Sequence, residues 1–252
     1  MNRNVNLAAS VIAVAVLAGT LASGAESRKV RLFILTGQSN MARFDPDPSF
    51  TPAVKQAFSN DEVIVVKYAV GGQPIRRWDK QWKAPDGWAV PKIKGKDGKL
   101  VQPVEHYGDL YDEVLKRTAT ALADKRPDSV AFLWMQGESD AISGLASVYE
   151  ASLRRLMQQA RTDLKHPGMV FVIGRISDYS KGKADWDAIR AIEVKVAKSD
   201  PLSAWVDTDD LNNVNGKDDL HYTPDGYVEF GKRLAAKAVE LIRRQEAGPA
   251  KW

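Results

Sequence analysis

The sequence contains no cysteine, which excludes disulfide bonds, a thiolate nucleophile and cysteine-ligated zinc. Histidine is scarce too: the three in the chain, His106, His166 and His221, are too few for a histidine-rich metal site. Neither sign of charge dominates, because 36 Lys and Arg residues are interleaved with 32 Asp and Glu residues. That pattern is typical of a mixed, solvated surface and gives little support for nucleic-acid binding. We therefore expect no metal, no cofactor and no nucleic-acid partner.

A long apolar run occurs near the N-terminus, from about residue 5 to residue 21, after the early charge of Arg3. Small residues follow it and end at Ala25, which is the pattern of a signal peptidase cleavage site. The sequence therefore predicts a signal peptide over residues 1–25 and a mature domain over residues 26–252, exported to the periplasm or the extracellular space. An uncleaved membrane anchor is the alternative, although Ala, Gly and Ser dilute the run and make it marginal for spanning a bilayer. After cleavage we expect no stable membrane insertion.

The rest of the chain alternates strand-like apolar runs with amphipathic helical segments, and no repeat or linker indicates a second domain. The predicted strands are Val30–Thr36, Val63–Val70, Val130–Met135, Met169–Ile173 and Ala204–Val206. The predicted helices are Leu110–Ala123, Leu145–Leu164, Trp186–Ala197 and Tyr227–Ile242. Several strands are continuously apolar, which favours a parallel sheet buried on both faces, and the alternation favours a doubly wound α/β domain. The long segment Gln73–Pro103 lacks periodicity, as functional loops often do.

Three clusters of polar residues interrupt this alternation of apolar strands and helices. GQSNM spans Gly37 to Met41, WMQGESD spans Trp134 to Asp140, and DDLH ends at His221. In an open α/β sheet, ligands bind outside the carboxyl ends of the strands, where these clusters fall. A serine hydroxyl needs a base to take its proton, and a carboxylate can hold that base in the correct tautomer. The clusters therefore predict a serine hydrolase.

Ser39, His221 and Asp218 are the candidate nucleophile, base and orienting acid. Asp219 is a rival for the role of Asp218, because it is adjacent in the chain. Two other interpretations stay open: Ser39 caps the helix that follows it, and the Asp-x-x-His segment is a surface loop with a capping Asp. The motif also differs from the Gly-x-Ser-x-Gly elbow of α/β-hydrolases, because Met41 replaces the second Gly.

Taken together, GQSNM, a Gly-Gly pair after the second strand, QGESD and Asp-x-x-His resemble the SGNH-hydrolase superfamily. GQSNM with QGESD is specific to its sialate O-acetylesterase-like branch, which includes the acetylxylan esterases of carbohydrate esterase family 6. The motifs extend from Gly37 to His221, in the order of that branch. The resemblance implies a three-layer αβα, flavodoxin-like fold with a central parallel sheet. It also implies hydrolysis of O-acyl groups through an acyl-serine, without a metal.

Carried over residue by residue, the resemblance makes Ser39 the nucleophile, His221 the general base and Asp218 its orienter. The oxyanion hole would use the backbone N–H groups of Ser39 and of a glycine in VGGQ, for which Gly72 is preferred. Backbone donors aimed at a developing oxyanion are each worth about 10²- to 10³-fold in rate.

The sequence departs from the superfamily at the third oxyanion donor. Many members have Gly-x-Asn-Asp where this chain has Gly-Glu-Ser-Asp at residues 137–140, so the side-chain amide is missing at Ser139. Either the hydroxyl of Ser139 or the amide of Gln136 takes its place, and Gln136 is preferred because an amide N–H is the closer replacement. Glu138 is an alternative acid for His221.

The segment after the Gly-Gly pair supplies the predicted substrate contacts. Between residues 73 and 88 it carries three tryptophans and two adjacent arginines. Aromatic faces stack on sugar rings, and Arg forms bidentate pairs with carboxylates such as those of sialic or uronic acids. We expect Arg76, Arg77 and Trp78 to bind substrate. The alternative is an ordinary loop that its tryptophans hold on the core.

These observations predict an exported serine esterase that removes O-acetyl groups from carbohydrates, either sialic acid or xylan-type glycans. One alternative is a GDSL-type lipase or small-ester hydrolase of the same superfamily. Another is a non-catalytic glycan-binding module on the same fold. Intact Ser39, Asp218 and His221 favour the enzyme, and the departure at Ser139 is the feature that favours the module.

Overall fold

The structure, a computed structural model, describes residues 1, 28–90, 92–94, 99–101, 106–214 and 217–248. The predicted signal peptide and its cleavage point lie outside the described residues. Within the described part of the chain, no helix is long and apolar enough to cross a bilayer.

Five parallel strands form the central sheet, in the order β2-β1-β5-β6-β7. They are β1 (Val30–Gly37), β2 (Glu62–Ala69), β5 (Ser129–Met135), β6 (Val170–Gly174) and β7 (Ser203–Val206). All five predicted strands are confirmed to within one or two residues. Every residue of β5 and β6 is buried, which explains why these strands are apolar without alternation. Counted along the chain, the sheet has the flavodoxin-like order 2-1-3-4-5, so the predicted fold class is confirmed.

Helices flank the sheet on both faces. They are α1 (Ser39–Arg43), α2 (Phe50–Ala57), α3 (Asp109–Leu122), α4 (Glu138–Ile142), α5 (Ala146–Asp163), α6 (Ala184–Ser199) and α7 (Pro224–Glu246). Helix α2 packs against α7, which lies on β5, β6 and β7, whereas α5 packs against α6 and α3 lies on β1 and β2. The four predicted helices correspond to α3, α5, α6 and α7. The last begins with a capped turn, in which the hydroxyl of Thr223 accepts from the N–H of Gly226 at 2.9 Å.

Among the described residues, two short antiparallel strand pairs lie outside the main sheet. Strands β3 (Ile93–Lys94) and β4 (Leu100–Val101) form one, and β8 (Asn213–Val214) and β9 (Lys217–Asp218) form the other. The first belongs to the segment that the sequence predicted as irregular. That segment starts with a 3₁₀ turn, Ile75–Arg77, and the N–H of Gly108 donates to the carbonyl of Arg76 at 3.0 Å, which brings its two ends together.

The carboxyl ends of β2, β1 and β5 lie side by side, where the strand order reverses. Gly37 ends β1 opposite Ala69 of β2 and Met135 of β5. Only glycine fits this position, because a Cβ atom there would lie 2.0 Å from the carbonyl oxygen of Met135, at a φ of +140°. The next residue, Gln38, donates its N–H to the same oxygen at 2.8 Å. The GQSNM and QGESD motifs are thereby brought together at the switch point of the sheet.

Candidate active site

Ser39 is the first residue of α1 and is half-buried. The N-cap position belongs to Gln38, which makes no side-chain capping hydrogen bond, so Ser39 does not act as the cap. The first intrahelical hydrogen bond runs from Ala42 to Gln38, and the amide of Ser39 therefore lies in the turn that has no intrahelical acceptor. This places an unused backbone donor beside the candidate nucleophile.

The Gly-Gly turn after β2 flanks Ser39. A Cβ atom on Gly71 would lie 3.5 Å from Cβ of Ser39, so this glycine is in direct contact with the serine. Gly72, the preferred oxyanion donor, follows in a left-handed conformation with a φ of +68°, and a Cβ atom there would meet nothing within 4 Å. The turn is exposed at both residues and leaves open space beside the serine.

His221 is half-buried in the segment between β9 and α7. The side chain of Asn40, next to Ser39, donates from Nδ2 to the carbonyl of Leu220 at 3.1 Å. The serine and histidine segments are therefore joined one residue away from each candidate. Within the described part of the chain, no hydrogen bond joins Ser39 to His221 directly.

The pKa of His221 lies below its ordinary value. Burial disfavours the imidazolium, the positive charge of Arg43 acts in the same direction, and Asp219 opposes both. A neutral imidazole is the form that accepts a proton from a serine hydroxyl. The site thus favours the form of His221 that a general base requires.

The structure brings one of the candidate acids to His221. Asp219 accepts the backbone N–H of His221 at 3.1 Å, and its Oδ1 lies 4.0 Å from Nδ1 of the ring, which is too long for a hydrogen bond. Asp218 pairs with Asn213 through the β8–β9 backbone, and its side chain lies outside the described part of the chain. The predicted role of Asp218 stays a prediction, and Asp219 remains its rival.

Five polar side chains form a buried amide–carboxyl cluster behind Ser39. Its members are Gln38, Asn40, Gln136, Glu138 and Asp140, each at most 2% exposed. Nδ2 of Asn40 donates to Glu138 at 3.0 Å, and Nε2 of Gln136 donates to Asp140 at 2.6 Å. Oε1 of Gln38 accepts from Gln136 at 3.2 Å and from the backbone N–H of Ser139 at 3.2 Å. The sequence indicated neither Gln38 nor Asn40 as a site residue, and the signal available was a pair of amides flanking the serine.

The candidates for the third oxyanion donor differ in availability. Gln136 is fully buried, and its NH₂ group faces three acceptors inside the protein: Asp140, Gln38 and the carbonyl of Gln73. Its amide protons are therefore engaged away from any bound ester in this arrangement. Ser139 is half-buried and its hydroxyl makes no hydrogen bond within the described residues, so this hydroxyl is the more available donor.

Both carboxyl groups of the cluster are harder to ionise than usual. Burial raises the pKa of Glu138 to about 7, although the hydrogen bond from Asn40 favours the carboxylate. Burial also raises the pKa of Asp140 to about 6, against the hydrogen bond from Gln136. Glu138 makes its side-chain hydrogen bond with Asn40 and none with His221 in the described structure. The geometry therefore links this acid to the serine side of the site.

The three predicted substrate residues have different environments. Trp78 is fully buried, donates from Nε1 to the hydroxyl of Thr36 at 3.0 Å and so has no face to offer a sugar. Arg77 forms a bidentate pair with Asp109, with both distances 2.6 Å. Trp78 is thus a core residue and Arg77 ties the loop to α3, as in the alternative interpretation of an ordinary loop.

Arg76 lies against an aromatic platform. Its guanidinium carbon is 5.7 Å from the ring centroid of Trp82 and 5.3 Å from that of Trp88. Tyr107, 42% exposed, packs against Trp82 in a tilted arrangement with the ring centroids 5.6 Å apart. The positive charge of Arg76 partly opposes the rise that burial causes in the pKa of Asp140, which places the platform near the cluster. In the described chain, no group of three or more His, Asp or Glu side chains is arranged to hold a metal ion.

Solved structures share this fold. A protein from Arabidopsis thaliana matches at 21% identity and a TM-score of 0.61, over 83% of this chain and 98% of the other. A carbohydrate acetylesterase from Xanthomonas citri matches at 16% identity and a TM-score of 0.55, over 84% of this chain and 56% of the other. A family 3 carbohydrate esterase from Clostridium thermocellum matches at 10% identity and a TM-score of 0.50, over 86% of this chain and 98% of the other. At these identities the likeness shows the fold, and a search of curated protein sequences gives no match.

A family model gives the more specific comparison. The model of the carbohydrate esterases described as sialic acid-specific acetylesterases matches residues 42–240. The match covers more than half of the chain, begins just after GQSNM, and includes both QGESD and the Asp-x-x-His segment. The fold, the order of the motifs and this match agree, and the chain belongs to the SGNH-type carbohydrate esterase family of sialic acid-specific acetylesterases.

Proposed function

We propose that the protein is an exported serine esterase that removes O-acetyl groups from carbohydrates through an acyl-serine. The observation that carries the proposal is the 3.1 Å hydrogen bond between Asn40 and Leu220, which joins the neighbours of Ser39 and His221 at the switch point of the sheet. Membership of the family supports carbohydrate esters as the substrate class.

In the first half of the reaction, Oγ of Ser39 attacks the acetyl carbonyl carbon and its proton passes to His221. The carbonyl oxygen becomes an oxyanion, which the backbone N–H of Ser39 and the Gly71–Gly72 turn stabilise, with the Gly72 amide the preferred second donor. The bond between the acetyl carbon and the sugar oxygen then breaks, and the sugar oxygen takes the proton from His221. The products are a free sugar hydroxyl and acetyl-Ser39.

In the second half, water attacks acetyl-Ser39 and gives a proton to His221. The ester bond to Ser39 breaks, the proton returns to Oγ, and acetate leaves. His221 needs a carboxylate to orient its ring, and we assign this role to Asp218 with Asp219 as the alternative. The lowered pKa of His221 keeps the base neutral into weakly acidic solution.

Substrate recognition is assigned to the Arg76 platform. The guanidinium of Arg76 lies beside Trp82, which is buried, and Trp88, which is half-buried. The aromatic surface open to a sugar therefore comes from Trp88 and the exposed Tyr107. A cation next to such a surface suits a sugar ring that carries a carboxylate. Sialic acid and glucuronoxylan both offer such rings. The two substrate classes are therefore tested side by side.

The direct test is acetate release from O-acetylated sialic acid, acetylated xylan and a chromogenic acetyl ester. Wild type is compared with Ser39→Ala and with Ser143→Ala, a control at an exposed serine after α4. We expect the control to match wild type and Ser39→Ala to lose at least about 10³-fold on the sugar esters. If wild type deacetylates the sugar esters no faster than Ser39→Ala does, the proposal is refuted and the non-catalytic binding module is favoured. Activity on the chromogenic ester alone would favour a small-ester hydrolase.

Export is tested by expressing the full chain with its first 25 residues and sequencing the N-terminus of the purified protein. A mature protein that begins at Glu26 in the periplasmic or culture fraction is the expected result. Recovery of an intact N-terminus in the membrane fraction would instead support the anchor.

A further inference from the structure

Asn40 is fully buried, and both polar atoms of its side chain are in use. Nδ2 donates to Oε1 of Glu138 at 3.0 Å and to the carbonyl of Leu220 at 3.1 Å. Oδ1 accepts from the hydroxyl of Tyr227 at 3.2 Å. One amide therefore satisfies three partners that come from three separate parts of the chain.

Each partner belongs to an element of the candidate site. Leu220 precedes His221, Tyr227 lies in the first turns of α7, and Glu138 begins α4. Asn40 itself follows Ser39 in α1. Among the described residues, this amide is therefore a direct side-chain link between the helix that carries the candidate nucleophile and the segment that carries the candidate base.

We propose that Asn40 is a positioning residue that sets the distance between Ser39 and His221, and that Glu138 acts on the reaction through Asn40 rather than by orienting His221. This inference rests on the proposed roles of Ser39 and His221. It adds two residues to the machinery without placing either on the substrate.

The histidine segment has a second anchor, which separates positioning from folding. Asn212, also fully buried, donates to the carbonyl of Asp219 at 2.7 Å and to the hydroxyl of Ser177 at 3.2 Å. The N–H of Thr223 donates to the carbonyl of Leu211 at 2.9 Å. Without the Asn40 side chain the segment stays attached to its own side of the fold and loses its tie to α1. A displacement of about 1 Å between reacting groups can cost about 10²-fold in rate.

Glu138 needs only an oxygen to accept from Asn40. A glutamine at this position keeps such an oxygen but removes the charge, so Glu138→Gln preserves the link. If Glu138 instead oriented His221, the same change would remove the acid of the triad and cost about 10⁴-fold. A small effect of Glu138→Gln beside a large effect of Asn40→Ala would therefore indicate that Glu138 holds Asn40. A large effect of Glu138→Gln would indicate that Glu138 orients His221.

The experiment measures how fast an alkyl fluorophosphonate labels Ser39, together with kcat and KM for acetate release. The probe reports the alignment of serine and base without requiring the sugar. Arg31→Met is the control for lost stability, because it breaks buried ion pairs at the amino end of β1. A rise of about 3.3 Å per residue puts this position roughly 20 Å from the end of β1 that precedes Ser39.

We expect Asn40→Ala to be labelled about 100-fold more slowly than wild type, with a similar fall in kcat and KM changed less than about threefold. Glu138→Gln should lose no more than about tenfold, and Arg31→Met should be labelled at the wild-type rate despite a lower melting temperature.

The inference is overturned if folded Asn40→Ala is labelled at the wild-type rate, or if Arg31→Met slows as much as Asn40→Ala. Its second half is overturned if Glu138→Gln is slower than Asn40→Ala. A wild type that is labelled at Ser39 but releases no sugar acetate refutes the proposed function alone. A wild type that is not labelled at Ser39 refutes both.

Discussion

The two ends of the central sheet hold their buried polar groups differently. At the amino end, Arg31 is 3% exposed and donates to Asp61 at 2.7 Å and to Glu246 at 2.6 Å, while its guanidinium stacks on Phe58. At the carboxyl end, Glu138 is 1% exposed and its hydrogen-bond partner is the neutral amide of Asn40. Its second oxygen has no hydrogen-bond partner among the described residues.

The difference separates stability from function. Arg31 is a buried charge whose partners are Asp61 and Glu246, and removing one member of such a pair destabilises a protein because the other charges lose their partner. Buried carboxyl groups held by amides have shifted pKa values, and such groups are enriched at functional sites. Changes at the amino end are therefore expected to alter stability and leave the rate unchanged, whereas changes at the carboxyl end are expected to alter the rate, whether or not stability changes too.

The largest expected effect concerns the acid that orients His221. Asp218→Asn should lower kcat by about 10⁴-fold, because the imidazole would lose its orienting carboxylate. Asp219→Asn, which keeps an oxygen for the backbone N–H of His221, should lower kcat far less. Acetate release by the two variants, compared at matched concentrations of folded protein, shows which aspartate orients His221. The opposite ranking would transfer the role to Asp219.

At the amino end, Arg31→Met should lower the free energy of unfolding by about 1–3 kcal/mol, because Asp61 and Glu246 lose their common partner but are partly exposed, and Glu246 keeps Lys29. The activity per folded molecule should stay at the wild-type level. Urea unfolding and acetate release on the same sample measure both. A loss of activity without a loss of stability would contradict the division between the two ends.

Glu138→Gln should change how stability depends on pH. The pKa of Glu138 is about 7 against an ordinary value of 4.5, because burial penalises the carboxylate. A carboxyl group with a raised folded-state pKa contributes its stability in full below about pH 4.5 and loses it as the pH rises through 7. The variant should therefore gain about 1–3 kcal/mol on wild type between about pH 5 and pH 8. The measurement is urea unfolding of both proteins at several pH values in this range. A constant difference in their free energy of unfolding would show that Glu138 titrates normally.

The smallest expected effect is on the titration of His221. Arg43→Gln removes a positive charge that lowers its pKa, so the pKa should rise and the acid limb of the rate profile should move to higher pH. Asp219→Asn removes the opposing charge and should move the limb to lower pH. Proton NMR of the imidazole, or kcat/KM against pH, would detect shifts of opposite sign. Shifts of the same sign would mean that these two charges do not act on His221 as the structure indicates.

The strands and long helices were predictable because their signals are local. Continuous apolar runs indicate buried parallel strands, and an apolar period near 3.6 indicates the amphipathic helices. Helix α2 was missed, since it has eight residues and includes Pro52. The candidate serine and histidine were named from their motifs, and their catalytic roles stay predictions.

The supporting residues were not predictable in the same way. Gln38 and Asn40 make hydrogen bonds with the residue that follows β5, with α4 and with α7, all of which are distant in the chain. The residues after the Gly-Gly pair read as one candidate surface, but the 3₁₀ turn points Trp78 into the core and leaves Arg76 on the platform. Which side of such a turn faces inward depends on the tertiary packing around it.

The closure of the segment between Arg76 and Gly108 has a consequence for engineering. Its two ends meet through one backbone hydrogen bond, and Cβ on Gly108 would lie 2.3 Å from Cγ of Lys80, so the junction admits only glycine there. Asp79 fixes the entry to the segment by pairing with Arg155 at 2.7 Å. Among the described residues that follow Arg76, Trp78, Asp79 and Trp82 are buried, so an exchange of this segment for that of a relative has to keep these three side chains. Such chimeras would test whether this segment sets the preferred ester, because Ser39, its helix and His221 lie outside the exchanged part.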